Sequence, residues 1–341
     1  MIDFRYHLVS LISVFLALAV GIALGAGPLE ETIGETLTGQ VEVLRVEKDE
    51  LRAALDATEN DLAASNAFAD ASGERLLVGA LPERRVAVVV LGEVPEERLT
   101  AIDDRLAQAG ADVTTVVTLA PAWTDPAAQT FRDALASPLV DLLAQTPAED
   151  AGTESVLADA LVEALSVADP ADPDAPSADA AALLDLLSTG DEPLLTVQGD
   201  AGAPADALVV LAADPVVPDE ESPAAETATE GVSAQLAVLD AAARLTEGVV
   251  LADGPRTADS LTTAVIGGDL AGTVTTVQRV DQVVGQVVVP LALAADIAGE
   301  TGHHGYGDDL TVLPPAVELA PVDRSVEGAG TGQDEATQGE Q

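Results

Sequence analysis

The residues able to do metal, redox or nucleophilic chemistry are few in this chain. Cysteine is absent, and methionine occurs once, at Met1. Thiol catalysis, disulfides, zinc–thiolate sites and iron–sulfur clusters are therefore excluded. Histidine occurs three times, as His7, His303 and His304. The last two lie in GHHGYGDD, followed closely by Tyr306, Asp308 and Asp309. Two imidazoles and two carboxylates in one flexible loop could hold a divalent ion, so His303, His304, Asp308 and Asp309 form the candidate metal site. Neighbouring side chains of an extended chain point apart, which makes one site using both rings awkward. The competing reading is a glycine-rich connector in which Gly305 and Gly307 supply positive φ.

Other reactive patterns are missing. No GxGxxG follows a strand, and no GxSxG elbow occurs. The single lysine, Lys48, stands in none of the sequence a P-loop needs. Asp214 and Asp253 end two apolar runs and could form a carboxylate pair, although aspartate at such places also serves as a turn former. With no nucleophile–base set, the chain reads as a non-enzyme that requires no cofactor.

The charge balance narrows the partners. The chain has 341 residues, 14 basic and 59 acidic, for a net charge of −45. A nucleic-acid partner is excluded, because neutralising phosphates needs a basic surface. Adsorption to anionic lipid is disfavoured for the same reason. The charge keeps a folded domain soluble through self-repulsion.

One stretch escapes the charge altogether. Leu8–Leu29 is 22 residues without a charged side chain. At about 1.5 Å per residue it spans roughly 33 Å, enough for a hydrocarbon core of about 30 Å. A cleaved signal peptide is the alternative, with Gly25, Ala26 and Gly27 resembling a cleavage site. The basic n-region is poor, however, and the apolar run is longer than an h-region needs. The reading is a single-pass membrane anchor. Arg5 precedes it and Glu30, Glu31 and Glu35 follow, so positive-inside logic places residues after Leu29 outside the cytoplasm. Ala17, Gly21 and Gly25 recur every four residues and form a candidate helix-packing face in the membrane.

Beyond Pro28, a residue suited to the first turn of a helix, apolar residues step by three and four. The a positions include Val41, Lys48, Leu55 and Leu62, and the d positions include Leu37, Leu44 and Leu51. That seam has period 3.5 and predicts a coiled-coil helix, as a parallel homodimer or as an amphipathic helix packed on its own domain. Lys48 at an a position favours two strands over three, because its head can snorkel to solvent. The seam weakens at Ser65 and Ala69, and the pattern changes at Ser72-Gly73.

The remainder alternates short apolar runs with helical patterns. Strands are predicted at 85–91, 112–119, 207–213, 248–252 and 274–277, with helices at 95–108, 232–247 and 283–298. Residues 127–189 read as mostly helical with a surface loop at 168–179, and 214–231 as a disordered excursion. This is an α/β class with a mainly parallel, Rossmann-like sheet. The expected organisation is a cytoplasmic stub and membrane helix at 1–29, a coiled-coil stalk at 30–76, an extracytoplasmic α/β domain at 77–322 and a disordered acidic tail at 323–341.

The opening FRYHLVSLISVFLALAVGIALGAGPL resembles the signature of the MctB family, the copper transporter MctB proteins of actinobacteria, which include the SteB proteins of corynebacteria. The block TTVQRVDQVVGQVVVPLALAADIAGETGHHGYG resembles the family's C-terminal strand, helix and YG region. It differs at Gln278 and Arg279, where the family pattern has an acidic residue and then an amide. The resemblance covers about residues 1–320. It implies a membrane-anchored envelope protein linked to copper homeostasis or transport. For SteB-like members it implies instead a scaffold that regulates a peptidoglycan-remodelling partner. For mycobacterial members it extends to an outer-membrane channel. The residues do not by themselves support a channel: one apolar helix lines no pore, and no run of alternating ten-residue segments is visible. Copper(I) prefers sulfur ligands, which this chain lacks beyond Met1, so copper enters as a ligand by resemblance only.

Overall fold

A computed structural model describes residues 4–26, 28–148, 151–190, 192–199, 202–213, 224–307, 309–322 and 324, with side chains described except at 26–38 and 224–230. Asp214, Asp308 and the tail beyond residue 324 lie outside the described residues. The chain divides into two compact units, Met1–Ser65 and Asn66–Gln341.

The first unit is helical. Helix α1 (Phe4–Ala26) is, among the described residues, the one helix long and apolar enough to cross a membrane. It has no glycine before Gly21, and its Ser13 hydroxyl is returned to the Val9 carbonyl at 2.8 Å, which hides a polar group on an apolar helix. Helix α2 (Pro28–Leu77) opens at the proline, as the first-turn preference of proline predicts. Thr58, a polar d residue, donates its hydroxyl to the Ala54 carbonyl at 2.8 Å. The helix therefore runs through it without an unsatisfied group.

The second unit is a doubly wound α/β domain. Its strands are β1 (Arg85–Val90), β2 (Asp112–Leu119), β3 (Ala168–Asp169), β4 (Asp172–Pro176), β5 (Leu195–Gln198), β6 (Ala207–Leu211), β7 (Val249–Ala252), β8 (Thr275–Val277) and β9 (His303–His304). Its helices, after the end of α2, are α3 (Glu96–Gln108), α4 (Gln129–Val140), α5 (Thr153–Ser166), α6 (Ala178–Ser188), α7 (Ala224–Leu245), α8 (Leu261–Gly267) and α9 (Val283–Ile297). Among the described residues the main sheet runs β5-β2-β1-β6-β7-β8-β9. Every pairing in it is parallel except that of β5 with β2.

Period-2 alternation explains the layers. Ala87 and Val89 of β1 face one side of the sheet, with Leu208 and Val210 of β6. Val86, Val88 and Val90 face the other, with Ala207, Val209 and Leu211. The first face is covered by α4 to α8 and the second by α3, α9 and the end of α2. A strand buried on both faces reads as an unbroken apolar run, which is why RVAVVV and ALVVL stand out in the sequence.

Several elements differ from the sequence expectation. The stretch 168–179 forms the β3–β4 hairpin and then caps α6 through Ser177, whose hydroxyl accepts from Ala180 N at 3.0 Å. Its turn is held by Asp169, whose carboxylate accepts from Ala171 N at 2.7 Å. β5 is an antiparallel edge strand, and α8 is a short helix; neither is apolar or long enough to announce itself. In the expected excursion, 214–223 lies outside the described residues, whereas 224–231 belongs to α7. Finally, α2 continues through Gly73 to Leu77. A Cβ at Gly73 would lie 2.5 Å from Val287 Cγ2, so this glycine lets α2 approach α9. Tertiary packing there outweighs a helix cost of about 1 kcal/mol for glycine.

The loop after β8 makes a second close approach. A Cβ on Gly285, in the first turn of α9, would lie 2.2 Å from the Arg279 carbonyl oxygen and 2.7 Å from that of Gln278. Backbone cannot yield as a side-chain tip does. Gly285→Ala should therefore lower stability by about 1–3 kcal/mol. Gly272→Ala, whose new methyl meets nothing within 4 Å, should change it by less than about 0.5 kcal/mol. Urea unfolding of the full chain in detergent, followed by the buried Trp123, measures both; equal effects would contradict the assignment.

Candidate functional site

Ligands of open parallel sheets gather beyond the carboxyl ends of the strands. Here the carboxyl ends of β7, β8 and β9 carry a cluster of buried polar residues: Asp253, Thr262, Gln278 and His304, each at most 3% exposed. Thr262 lies on α8 and the others follow or end strands.

Asp253 is a turn former. Its carboxylate accepts from Gly254 N at 2.7 Å, Thr262 N at 3.0 Å and Thr262 Oγ1 at 2.8 Å. It thereby fixes the start of α8 to the end of β7. The backbone continues the tie: Val280 N donates to the Asp253 carbonyl and Arg279 N to that of Gly254, both at 3.1 Å. Arg279 adopts φ of +60°, a costly conformation for a residue with a Cβ. It pairs with Asp281 at 3.2 Å.

The two histidines form β9, at the edge of the sheet beside β8. The chain then turns back, with Gly305 N donating to the Thr311 carbonyl at 2.9 Å and Thr311 N to that of His303 at 3.0 Å. Gly305 and Gly307 have φ of +156° and +158°, conformations that favour glycine. Successive strand residues separate the rings. His303 Nδ1 meets Thr276 Oγ1 at 3.1 Å, and a further hydrogen bond joins the ring to the Ala271 carbonyl. His304 Nδ1 meets Thr311 Oγ1 at 2.8 Å. Burial lowers the pKa of both imidazoles below the usual histidine value.

Of the candidate metal residues, Asp308 lies outside the described residues and Asp309 is exposed. Among the described residues, no group of three or more histidine, aspartate or glutamate side chains is placed to hold a metal ion. Asp296, on α9, is a partly buried acid that sequence reasoning passed over. It accepts from Val249 N at 2.9 Å and from Thr275 Oγ1 at 2.5 Å, and so ties α9 to the starts of β7 and β8. Burial raises its pKa despite those bonds. Gln278 and Thr262 are buried polar residues of this cluster that were likewise missed. The signal for Gln278 was an amide directly after the short strand β8.

The remaining candidate residues lie in the helical unit. Ala17, Gly21 and Gly25 of α1 are exposed along one row, and Cβ atoms added at the two glycines would meet nothing within 4 Å. On α2, Val41, Leu44, Lys48, Leu51, Leu55 and Leu62 are exposed, with Leu51 at 66%. Leu44, Glu47, Lys48, Leu51, Arg52 and Leu55 line a shallow concavity along that helix. Leu37 falls within α2, and its side chain lies outside what is described.

These features define a class: an acidic doubly wound α/β domain, preceded in the chain by a long helix with an open apolar face and by one apolar helix fit to anchor it in a membrane. The chain belongs to the family described as copper transport outer membrane protein, MctB, whose model matches residues 1–315. It is 29% identical over 315 residues to the copper transporter MctB of Mycobacterium bovis, an alignment covering 90% of this chain and 97% of that protein. The copper transporter MctB of Mycobacterium tuberculosis H37Rv matches to the same extent.

The buried imidazoles give stability a pH dependence of definite sign. Unfolded histidine titrates near 6.5; the folded pKa values of His303 and His304 are lower. The unfolded chain therefore binds protons first. Stability is full above that value and is lost as pH falls toward the folded values. Asp296, with a raised folded pKa, acts in the opposite sense but in the carboxylate range. The urea midpoint should accordingly drop between about pH 7.5 and 5.5. The drop should shrink in His303→Gln/His304→Gln; an unchanged wild-type midpoint would contradict the argument.

Proposed function

We propose that this protein is a non-enzymatic, single-pass envelope component of copper homeostasis that works as a parallel homodimer, with its α/β domain outside the cytoplasm. The names of its relatives bring copper into the reading, and α1 supports the anchor. Arg5 before α1 supports the orientation. The observation that carries the dimer is the open a/d face of α2. Leucines at 44, 51, 55 and 62 are each at least 50% exposed on a helix of 50 residues. A polar helix of that length with an apolar stripe at period 3.5 needs a partner helix to bury the stripe. Ala17, Gly21 and Gly25 would bring two copies of α1 together in the membrane.

A second reading has its own support. The chain offers no thiolate and, beyond Met1, no thioether for Cu(I). Its long exposed helix suits a scaffold that acts on an envelope partner, such as one remodelling peptidoglycan. In that reading any effect on copper is indirect.

Light scattering on residues 30–341 should give a dimer at micromolar concentration, and Leu51→Asp/Leu55→Asp should give a monomer. A wild-type monomer would refute the stalk.

Metal titration separates direct from indirect action. Under competition from a chelator, the full chain in detergent should bind Cu(I) negligibly and Cu(II) weakly at most, through His303, His304, Asp308 or Asp309. Tight stoichiometric Cu(I) binding would sink the scaffold reading, and its loss in His303→Ala/His304→Ala would locate the ligands.

A further inference from the structure

At the carboxyl end of β8 and β9, two buried side chains each keep a polar atom without a protein partner: Nε2 of His304 and Nε2 of Gln278. His304 is 2% exposed and Gln278 is 3% exposed. Both residues line the same small cavity of about 10 Å³, with Val277, Val284 and Val288 on its inner side and the exposed Tyr306 and Val312 at its mouth. A buried polar atom without a partner is costly, and pairs of them facing one space call for a common ligand.

The chemistry of the two atoms is complementary. The amide nitrogen of Gln278 can only donate. The role of His304 Nε2 follows from its other nitrogen. Thr311 Oγ1 lies 2.8 Å from Nδ1 and also 3.4 Å from the His303 carbonyl, to which it donates. With its proton so directed, the hydroxyl accepts from Nδ1–H, and Nε2 is left as a lone-pair acceptor. A volume of roughly 10–15 Å³ on this measure is that of one water. We propose that this cavity binds a single ordered water, which accepts from Gln278 Nε2–H and donates to His304 Nε2. The second histidine is then an internal hydrogen-bond acceptor rather than a metal ligand.

The glycines of GHHG fit this site. A Cβ at Gly302 would stand 3.1 Å from His304 Cε1 and Nε2, and one at Gly305 would stand 3.0 Å from the Gln278 side chain. The flanking residues must be small because these two side chains fill the space beside them. The water would thus join β9, at the edge of the sheet, to the chain leaving β8. The proposal removes His304 from the candidate copper ligands and leaves His303 and Asp309 among the described residues.

With three histidines in the chain, selective 15N-histidine labelling of the full protein in detergent resolves each ring. The expected result is a neutral His304 with the proton on Nδ1 and Nε2 accepting a hydrogen bond, and a cross-peak from a long-lived water to its Hε1. A proton on Nε2, or no water contact, would overturn the proposal. Addition of Zn(II) or Cu(I) should leave the Nε2 resonance in place; a metal-induced shift there would show an ion site instead. A mutant cycle gives a second readout. Gln278→Met and His304→Phe should each lower the urea midpoint, and the double variant should lower it by less than the sum of the two. Additive losses would also count against a shared water.

Discussion

The core strands of this protein's sheet are apolar on both faces, and such a ribbon persists in water only if helices cover both sides. That constraint organises the α/β domain. It requires crossovers long enough to carry helices to alternate faces, which gives the parallel doubly wound order. It also leaves little room for polar groups in the interior. Some of the buried or partly buried polar side chains meet backbone donors at strand ends. Asp253 takes two backbone donors together with the Thr262 hydroxyl, and Asp296 takes one together with the Thr275 hydroxyl.

The amino ends of the strands are closed by arginine instead. The Arg85 guanidinium donates to the Pro173 carbonyl at 2.9 Å and pairs with Asp174, Arg84 pairs with Glu247 at 2.9 Å, and Arg324 bonds both Asp206 and the Glu83 carbonyl. In a chain with so large an excess of acid, these few cations are spent on joining elements far apart in sequence. Arg84 also donates to the Ala320 carbonyl at 3.0 Å, which holds the C-terminal segment against the domain. The surplus of negative charge stays on the surface, where it opposes association through any but an apolar face.

Function therefore concentrates on two kinds of surface. The carboxyl edge of the sheet, where ligands of this fold gather, is packed with Asp253, Thr262, Gln278 and His304, and Nε2 of Gln278 and of His304 are left without a protein partner. The exposed stripe of α2 is the opposite case, with leucines presented to solvent and small polar residues beyond them. Ser65 and Ala69, where the stripe weakens, stand at the point where α2 becomes part of the globular unit. There small side chains and Gly73 serve close packing instead of a leucine seam.

What the sequence determined by itself are the features whose signal is local and repeated. The uncharged run of α1, the period of the α2 seam, and the apolar strands β1, β2, β6 and β7 need no partner to be recognised. The absence of sulfur ligands was equally plain. Tertiary structure decided the rest, for reasons that can be named. β5 and β9 are four and two residues long and exist because a neighbouring strand offers its edge. α8 is started by Ser260, whose hydroxyl accepts from Thr263 N, and by Asp253, eight residues before the helix, which accepts from Thr262 N. The glycine in Ser72-Gly73 reads locally as a break, yet its missing Cβ is what Val287 requires. His303 and His304 are conspicuous as a pair, but only the strand pleat separates them and only the fold brings Gln278 to face one of them. Burial and orientation are properties of the neighbours a residue acquires, and no spacing within GHHGYGDD records them.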